Sequence, residues 1–201
     1  MSYAAIVIAA GLSSRMGEFK PLLDIGGTPA LHLLLGTIRN AGIENTVVVT
    51  GYEHELIENK TKGDVPCVYN ADYESGMFST VLAGIRFVSM KWESSAALLF
   101  PVDVPLVSSD TIRGLMAAYE QARFPRYAVP VYEEKNGHPL LIPREYYAEI
   151  LEYTGEGGLK GVRSRHDAEM LRYTVNDIGC VLDMDTPGDY EKILEYHRND
   201  K

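Results

Sequence analysis

The stretch that most constrains the fold comes first: Ala4 to Ala10, an unbroken apolar run only a strand long, followed at once by Gly11 and a loop of small residues. An apolar run without polar alternation predicts a strand buried on both faces, as parallel strands are when helices cover the sheet above and below. The rest of the chain repeats the signal. Strand-like runs fall at Thr46–Thr50, Cys67–Tyr69, Ala96–Val102 and Ala128–Tyr132. Helical spacing fills the intervals. Pro29–Ala41 aligns Leu31, Leu34, Leu35 and Ile38 behind Thr28-Pro29, read as N-cap and first helical position. Ser79–Lys91 aligns Val81, Leu82, Ile85 and Val88, and Ser109–Arg123 aligns Ile112, Leu115, Met116 and Tyr119. Tyr146–Tyr153, Gly157–Arg165 and Gly188–Arg198 read as further helices.

Strands alternating with helices predict an α/β fold of three layers around a mostly parallel sheet. The segment from Phe124 to Ile142 reads as a small antiparallel insertion, turned at Asn136-Gly137. With 201 residues, 46% of them hydrophobic, the chain suits a single domain over residues 1–201. In such a sheet ligands bind beyond the carboxyl ends of the strands, so residues there become the functional candidates.

A formal charge of −9 argues against a nucleic-acid groove, which needs Lys and Arg to release counterions. It leaves phosphate ligands open, because a few local cations and a metal reverse the field locally. The longest apolar runs are too short to span a membrane, and no basic region precedes a signal-type apolar core. The expectation is a cytoplasmic protein with no membrane partner, in which Cys67 and Cys180 are reduced thiols.

The loop after the first run carries Ser13, Ser14, Arg15, Gly17 and Lys20. Small side chains let backbone N–H groups approach phosphate oxygens, and Arg15 and Lys20 add two cations. It is not a Walker A loop, since Glu18 follows Gly17 where Lys and Ser/Thr are needed. It is not a dinucleotide fingerprint either: Ser13 and Met16 stand where glycines belong, and Thr50-Gly51 ends the second strand without a ribose-binding acid.

Asp103 ends the run Ala96–Val102, held between Pro101 and Pro105, which restrict the backbone on both sides. A rigid carboxylate beside a phosphate site suits Mg²⁺, whose shell takes one or two carboxylates and is completed by water and phosphate oxygens. Asp183 and Asp185 project to one face if their segment is extended, and two such carboxylates near Asp103 suit the same ion; the alternative is a helix N-cap at Asp185 or Thr186 before Pro187. Asn70, Gly76, Met77 and Ser79 lie on a loop that either offers donors to a base or ribose or simply caps the next helix. His138, held before Pro139, is either an exposed loop histidine or one that faces an acceptor phosphate. No nucleophile–base pair is visible. A phosphate monoester needs none, because it is largely dianionic near neutrality and attacks once positioned and charge-compensated.

Ala9-Ala10-Gly11-Leu12-Ser13-Ser14-Arg15-Met16-Gly17 with Lys20 resembles the signature loop of nucleotidyltransferases that activate sugar phosphates, isoprenoid precursors and molybdopterin. With Asn70…Glu74-Ser75-Gly76-Met77, Pro101-Val102-Asp103-Val104-Pro105, Gly137-His138-Pro139 and Asp183-Met184-Asp185-Thr186-Pro187, the chain most resembles molybdenum cofactor cytidylyltransferases, from Ala5 to about Tyr190. The resemblance implies a Rossmann-like nucleotidyltransferase fold, with CMP transferred from CTP (GTP being the other candidate) to a molybdopterin-type phosphate and pyrophosphate released. It implies nucleotide contacts at Ala9, Ala10, Gly11, Ser13, Ser14, Arg15, Lys20, Thr50, Asn70, Gly76, Met77, Ser79 and Pro101. Arg15, Lys20 and Asp103 would carry catalysis, Asp103, Asp183 and Asp185 would face Mg²⁺, and His138 would face the acceptor. A molybdoenzyme or its chaperone is the implied partner. The rival readings are a sugar- or alditol-phosphate nucleotidyltransferase and a non-catalytic nucleotide-binding maturation factor.

Overall fold

The computed structural model describes residues 1–122 and 125–199. The chain begins with β1 (Tyr3–Ala9), a short pair β2 (Asp24–Ile25) and β3 (Thr28–Pro29), then α1 (Ala30–Asn40) and β4 (Asn45–Thr50). Next come α2 (His54–Thr61), β5 (Cys67–Tyr69), α3 (Met77–Lys91), β6 (Ala96–Pro101) and α4 (Ser109–Gln121). The second half holds β7 (Ala128–Tyr132), β8 (Lys135–Asn136), β9 (Leu140–Pro143), α5 (Tyr147–Glu152), α6 (Gly158–Ser164), β10 (Leu171–Thr174) and α7 (Pro187–Asn199).

The main sheet runs β10-β7-β9-β6-β1-β4-β5, with β8 on β7. Pairings β1–β4, β1–β6, β4–β5 and β7–β10 are parallel; β9 runs antiparallel to β6 and β7. Because side chains alternate along a strand, β1 feeds two cores. Ala5, Val7 and Ala9 pack with Leu31, Leu34 and Ile38 of α1 and with Ile112 and Leu115 of α4. Ala4, Ile6 and Ile8 pack with Val81, Ile85 and Val88 of α3 and Ile150 of α5. Full burial of each large aliphatic side chain contributes roughly 1.5–3 kcal/mol, which is why the strand admits no polar residue. The three-layer α/β fold read from the sequence is thus present. A third apolar cluster joins Met16, Leu23, Ile25, Ala30, Met184 and Ile193, tying α7 and the loop after β1 to the body of the fold.

Local readings are corrected in three places. Pro29 is itself the cap of α1, without a side-chain bond, because Thr28 and Pro29 pair with Ile25 and Asp24 as a strand. The insertion is antiparallel, but its turn is Glu133-Glu134, both at positive φ (45° and 68°), not Asn136-Gly137. Gly137 is needed for close approach instead: a Cβ there would lie 2.6 Å from Cys180 Sγ and 2.7 Å from the Cys180 carbonyl oxygen. Finally, α2 and β10 are not expected from the sequence, whereas β9 is the second run of the expected antiparallel insertion. Arg123 and Phe124, where one helix was read to end and the insertion to begin, lie outside the described residues.

Candidate active site

Parallel pairing brings the carboxyl ends of β1 and β6 to one edge, where the loop after β1 and the segment from Tyr73 to Thr80 enclose a cavity of about 370 Å³. Ala9, Ala10, Gly11, Ser13 and Ser14 line it from the loop. Pro101 and Asp103 line it from the end of β6, and Gly76 and Met77 from the start of α3. Lys20 also reaches it.

The loop keeps its shape through Ser13. At φ 52°, Ser13 accepts at its carbonyl from Met16 N (3.0 Å) and Gly17 N (3.2 Å), and at its hydroxyl from Lys20 N (3.1 Å). Met16 is buried in the third apolar cluster and anchors the loop from below. Opposite, Val104 N donates to the Pro101 carbonyl (3.2 Å), and Met184 N donates to the Asp103 carbonyl (2.9 Å). That last bond joins the two acid-bearing segments through their backbones.

Charge is concentrated at this junction. Lys20 Nζ donates to Asp185 Oδ1 at 2.7 Å and to Asp103 Oδ2 at 3.3 Å, and Arg15 Nη2 pairs with Asp185 Oδ2 at 2.9 Å. The Lys20 side chain is 13% exposed and that of Arg15 71%, so the lysine is fixed while the arginine is on the surface. The hydrogen bond from Lys20, with the Lys20 and Arg15 charges, holds the Asp185 carboxyl below its ordinary range. Asp183 is pushed the other way, first by burial and then by the charges of Asp185 and Asp103. The open alternative at Asp185 is decided: Thr186, not Asp185, caps α7, its hydroxyl accepting from Asp189 N (3.3 Å) while its backbone N–H donates to Asp189 Oδ2 (3.2 Å).

This donor set fits a hard divalent cation. Two carboxylates face one position now filled by an ammonium, and Mg²⁺ characteristically draws its remaining ligands from phosphate and water. Among the described residues no three His, Cys, Asp or Glu side chains stand close enough to form a metal cage by themselves.

Other sequence candidates are placed behind the cavity. Thr50 is buried and donates to the Val68 carbonyl. Asn70, also buried, donates to Ser79 Oγ (2.9 Å) and Thr80 Oγ1 (3.1 Å), while Ser79 donates to the Asp72 and Gly76 carbonyls. Their polar atoms build the loop that carries Gly76 and Met77. His138 is not an exposed loop residue: its Nδ1 is buried without a hydrogen-bond partner. Burial holds its imidazole below the usual histidine range, with Asp103 pulling upward and Arg163 downward. Tyr73, Glu74 and Thr80 line the cavity; none was named a site residue from the sequence, although Glu74 belongs to the Glu74-Ser75-Gly76-Met77 motif. Gly51 gives Tyr73 its place: a Cβ at Gly51 would stand 2.5 Å from Tyr73 Cβ and 2.9 Å from Ala10 Cβ.

A parallel sheet whose strand ends set a cation-bearing small-residue loop against a proline-clamped acid is the arrangement of an enzyme that transfers nucleotidyl groups. The chain belongs to the MobA-like NTP transferase domain family, whose model matches residues 5–170. It is 24% identical to the molybdenum cofactor cytidylyltransferase of Escherichia coli over 196 residues, covering 92% of each chain. A shorter match, 48% identical over 75 residues, is to the choline-phosphate cytidylyltransferase of Haemophilus influenzae; it covers 34% of this chain and 32% of that one, about a third of the relative's length. Among solved structures, a nucleotidyl transferase from Methanothermobacter superposes with a TM-score of 0.83 at 21% identity, covering 100% of this chain and 99% of that one. The Rv0371c protein of Mycobacterium tuberculosis in complex with manganese does so at 0.75 and 22% identity, covering 97% and 99%. These likenesses confirm the Rossmann-like nucleotidyltransferase fold.

Proposed function

We propose that residues 1–201 form one cytoplasmic nucleotidyltransferase domain that transfers CMP from CTP to the phosphate of a molybdopterin-type acceptor, releasing pyrophosphate. The observation that carries this reading is the position of Lys20 Nζ, between Asp103 and Asp185 at the mouth of the strand-end cavity. Ala9 to Ser14 cradle the triphosphate with their backbone, and Arg15 and Lys20 hold the β- and γ-phosphates as they leave. Asp103 and Asp185 hold Mg²⁺, with Asp183 beside them; the ion, when bound, neutralises charge on the reacting phosphates. The acceptor enters from the His138 side. Proline clamping of Asp103 and the bonds at Ser13 fix these groups in advance, so charge stabilisation needs little reorganisation. The full-length match to a molybdenum cofactor cytidylyltransferase supports CTP and the acceptor, and a manganese-bound structural neighbour supports a divalent ion.

The test is to incubate the purified protein with CTP or GTP, Mg²⁺ and molybdopterin, and to measure pyrophosphate. Release that needs both CTP and molybdopterin is expected. No release with either triphosphate would overturn the reading. Release with a sugar or alditol phosphate in place of molybdopterin would move the protein to that rival class, and release with choline phosphate would move it toward the relative matched over part of the chain.

A further inference from the structure

The strand-end cavity has two unlike ends. Lys20, Asp103 and the loop from Ala9 to Ser14 hold its phosphate end, and the segment from Tyr73 to Thr80 supplies the wall left for the nucleoside. Three of the lining side chains on that wall are polar: Tyr73, Glu74 and Thr80.

Thr80 is the buried one, 2% exposed, and its neighbours fix what its hydroxyl can do. Asn70 Oδ1 accepts from Asp72 N at 3.1 Å, which settles the orientation of the Asn70 amide. The Asn70 NH₂ group then donates to Ser79 Oγ (2.9 Å) and to Thr80 Oγ1 (3.1 Å). Ser79 spends its own proton on the Asp72 and Gly76 carbonyls, each 2.8 Å away. Thr80 has no such outlet: among the described residues no acceptor meets its hydroxyl proton. A hydroxyl that already accepts from one side turns its proton to another, here the cavity that Thr80 lines. A buried donor left over in this way points to a ligand or a water.

Glu74 is the opposite kind of group, because a carboxylate only accepts. It is exposed and has no ion pair among the described residues. One of its oxygens takes a long bond, 3.5 Å, from the Tyr73 hydroxyl, and the other takes none. One wall of the cavity thus offers an oriented buried donor and, nearer solvent, an open acceptor.

We propose that Glu74 and Thr80 read the base of the nucleotide and select cytosine against uracil. A pyrimidine carries O2 and its C4 substituent at the two ends of its polar edge. Both bases offer O2 as an acceptor, which suits the Thr80 proton. At C4, cytosine offers an N–H₂ donor that suits the Glu74 carboxylate, whereas uracil offers a carbonyl oxygen that the carboxylate repels. The two bases are alike in size, so the shape of the pocket adds little to this choice. Glu74 sets the discrimination, and Thr80 the affinity that both bases share. This assignment rests on the nucleotidyltransferase reading, which supplies the nucleotide and the end at which its phosphates lie.

The experiment measures binding of CTP and of UTP by calorimetry, each with Mg²⁺ and without acceptor. Wild type is expected to bind CTP about tenfold more tightly than UTP, the low end for one hydrogen-bonded contact because Glu74 is exposed. Glu74→Gln, whose amide turns to offer either a donor or an acceptor, narrows the preference to about twofold or less. Thr80→Val weakens both nucleotides alike, by about fivefold, and keeps the preference, while Thr80→Ser binds as wild type does. Thermal melts check folding. If Thr80→Val melts early, 2-thio-CTP tests the same bond in wild-type protein, because sulfur is a weak acceptor. A wild type without preference, or Glu74→Gln with the preference intact, overturns the base reading. Equal losses of CTP and UTP in Glu74→Gln place the carboxylate on the ribose and overturn it too. Unchanged binding in Thr80→Val, or 2-thio-CTP bound as tightly as CTP, removes Thr80 from the pair. If neither triphosphate binds, the nucleotidyltransferase reading fails and the base reading with it; if both bind equally, the base reading alone fails.

Discussion

The ammonium of Lys20 donates to the carboxylate of Asp185 at 2.7 Å and reaches Asp103 at 3.3 Å, so one cation holds two acids that come from segments distant in the chain. It fills the place between the carboxylates where a divalent ion would be held. A triphosphate that draws Lys20 away would open that place, which couples the two ligands through one side chain. Lys20→Met is therefore expected to bind Mn²⁺ more tightly than wild type without nucleotide, as read by electron paramagnetic resonance. The same variant should lose turnover on the order of 100-fold or more, because a preorganised cation has been removed from the leaving phosphates. Unchanged Mn²⁺ affinity would show that the ammonium does not compete for the ion.

Asp103 contributes to the fold through its backbone rather than its side chain. Its carbonyl accepts from Met184 N, and the adjoining turn is closed by Val104 N on the Pro101 carbonyl. Asp103→Asn should leave the melting temperature nearly unchanged. Turnover should fall roughly 1,000-fold, since removing a metal ligand forfeits several kcal/mol of transition-state stabilisation. Retained pyrophosphate release would take Asp103 out of the centre.

The segment that delivers Asp183 and Asp185 is itself held by Asp177. This buried carboxylate accepts from Ser108 N (2.9 Å), Thr111 Oγ1 (2.7 Å) and Gly179 N (2.9 Å), joining the start of α4 to the chain just before the acids. Asp177→Ala leaves three donors unpaired, and each unsatisfied buried group costs about 1–3 kcal/mol. Urea unfolding should show a loss of about 2–4 kcal/mol after partial relaxation. Turnover should fall as well, because Asp185 loses its fixed approach to Lys20. A loss below about 0.5 kcal/mol would mean that water replaces the carboxylate freely.

Much of this architecture was legible before any coordinates. The apolar runs that became β1, β4, β5, β6 and β7 were readable because strands covered on both faces leave no room for polar residues, and Asp103 was readable because two prolines flagged it. What escaped has physical reasons. The pattern of α2 is weak, with only Ile57 and Thr61 buried, and β10 alternates half-buried and exposed residues at the sheet edge. The run that became β9 was legible as part of the insertion, but the turn was misplaced, because Gly137 serves contact with Cys180 and the chain reverses at Glu133-Glu134. Tyr73, Glu74 and Thr80 reach the cavity through the folding of one loop, and no local spacing announces that. Asn70 and Ser79 are polar residues of the right type whose atoms are spent inside that loop.

The buried imidazole of His138 gives a pH dependence whose sign follows from its environment. Burial lowers its folded-state value below the ordinary 6.5. Between that lowered value and 6.5 the unfolded chain binds a proton that the folded chain refuses, so stability rises with pH in this window. The contribution is fully present above 6.5 and declines as the solution is acidified toward the folded-state value, by at most about 1.4 kcal/mol per pH unit. Asp183, whose carboxyl is raised from its ordinary 3.8, acts in the opposite sense and in a more acidic range. Urea unfolding at about pH 7.5 and about pH 5.5, roughly one unit either side of the histidine's ordinary value, should show wild type losing stability on acidification. His138→Gln should lose distinctly less, because the group that refuses the proton is gone. Identical losses in the two proteins would mean that the imidazole is solvated well enough to titrate as it does in the unfolded chain.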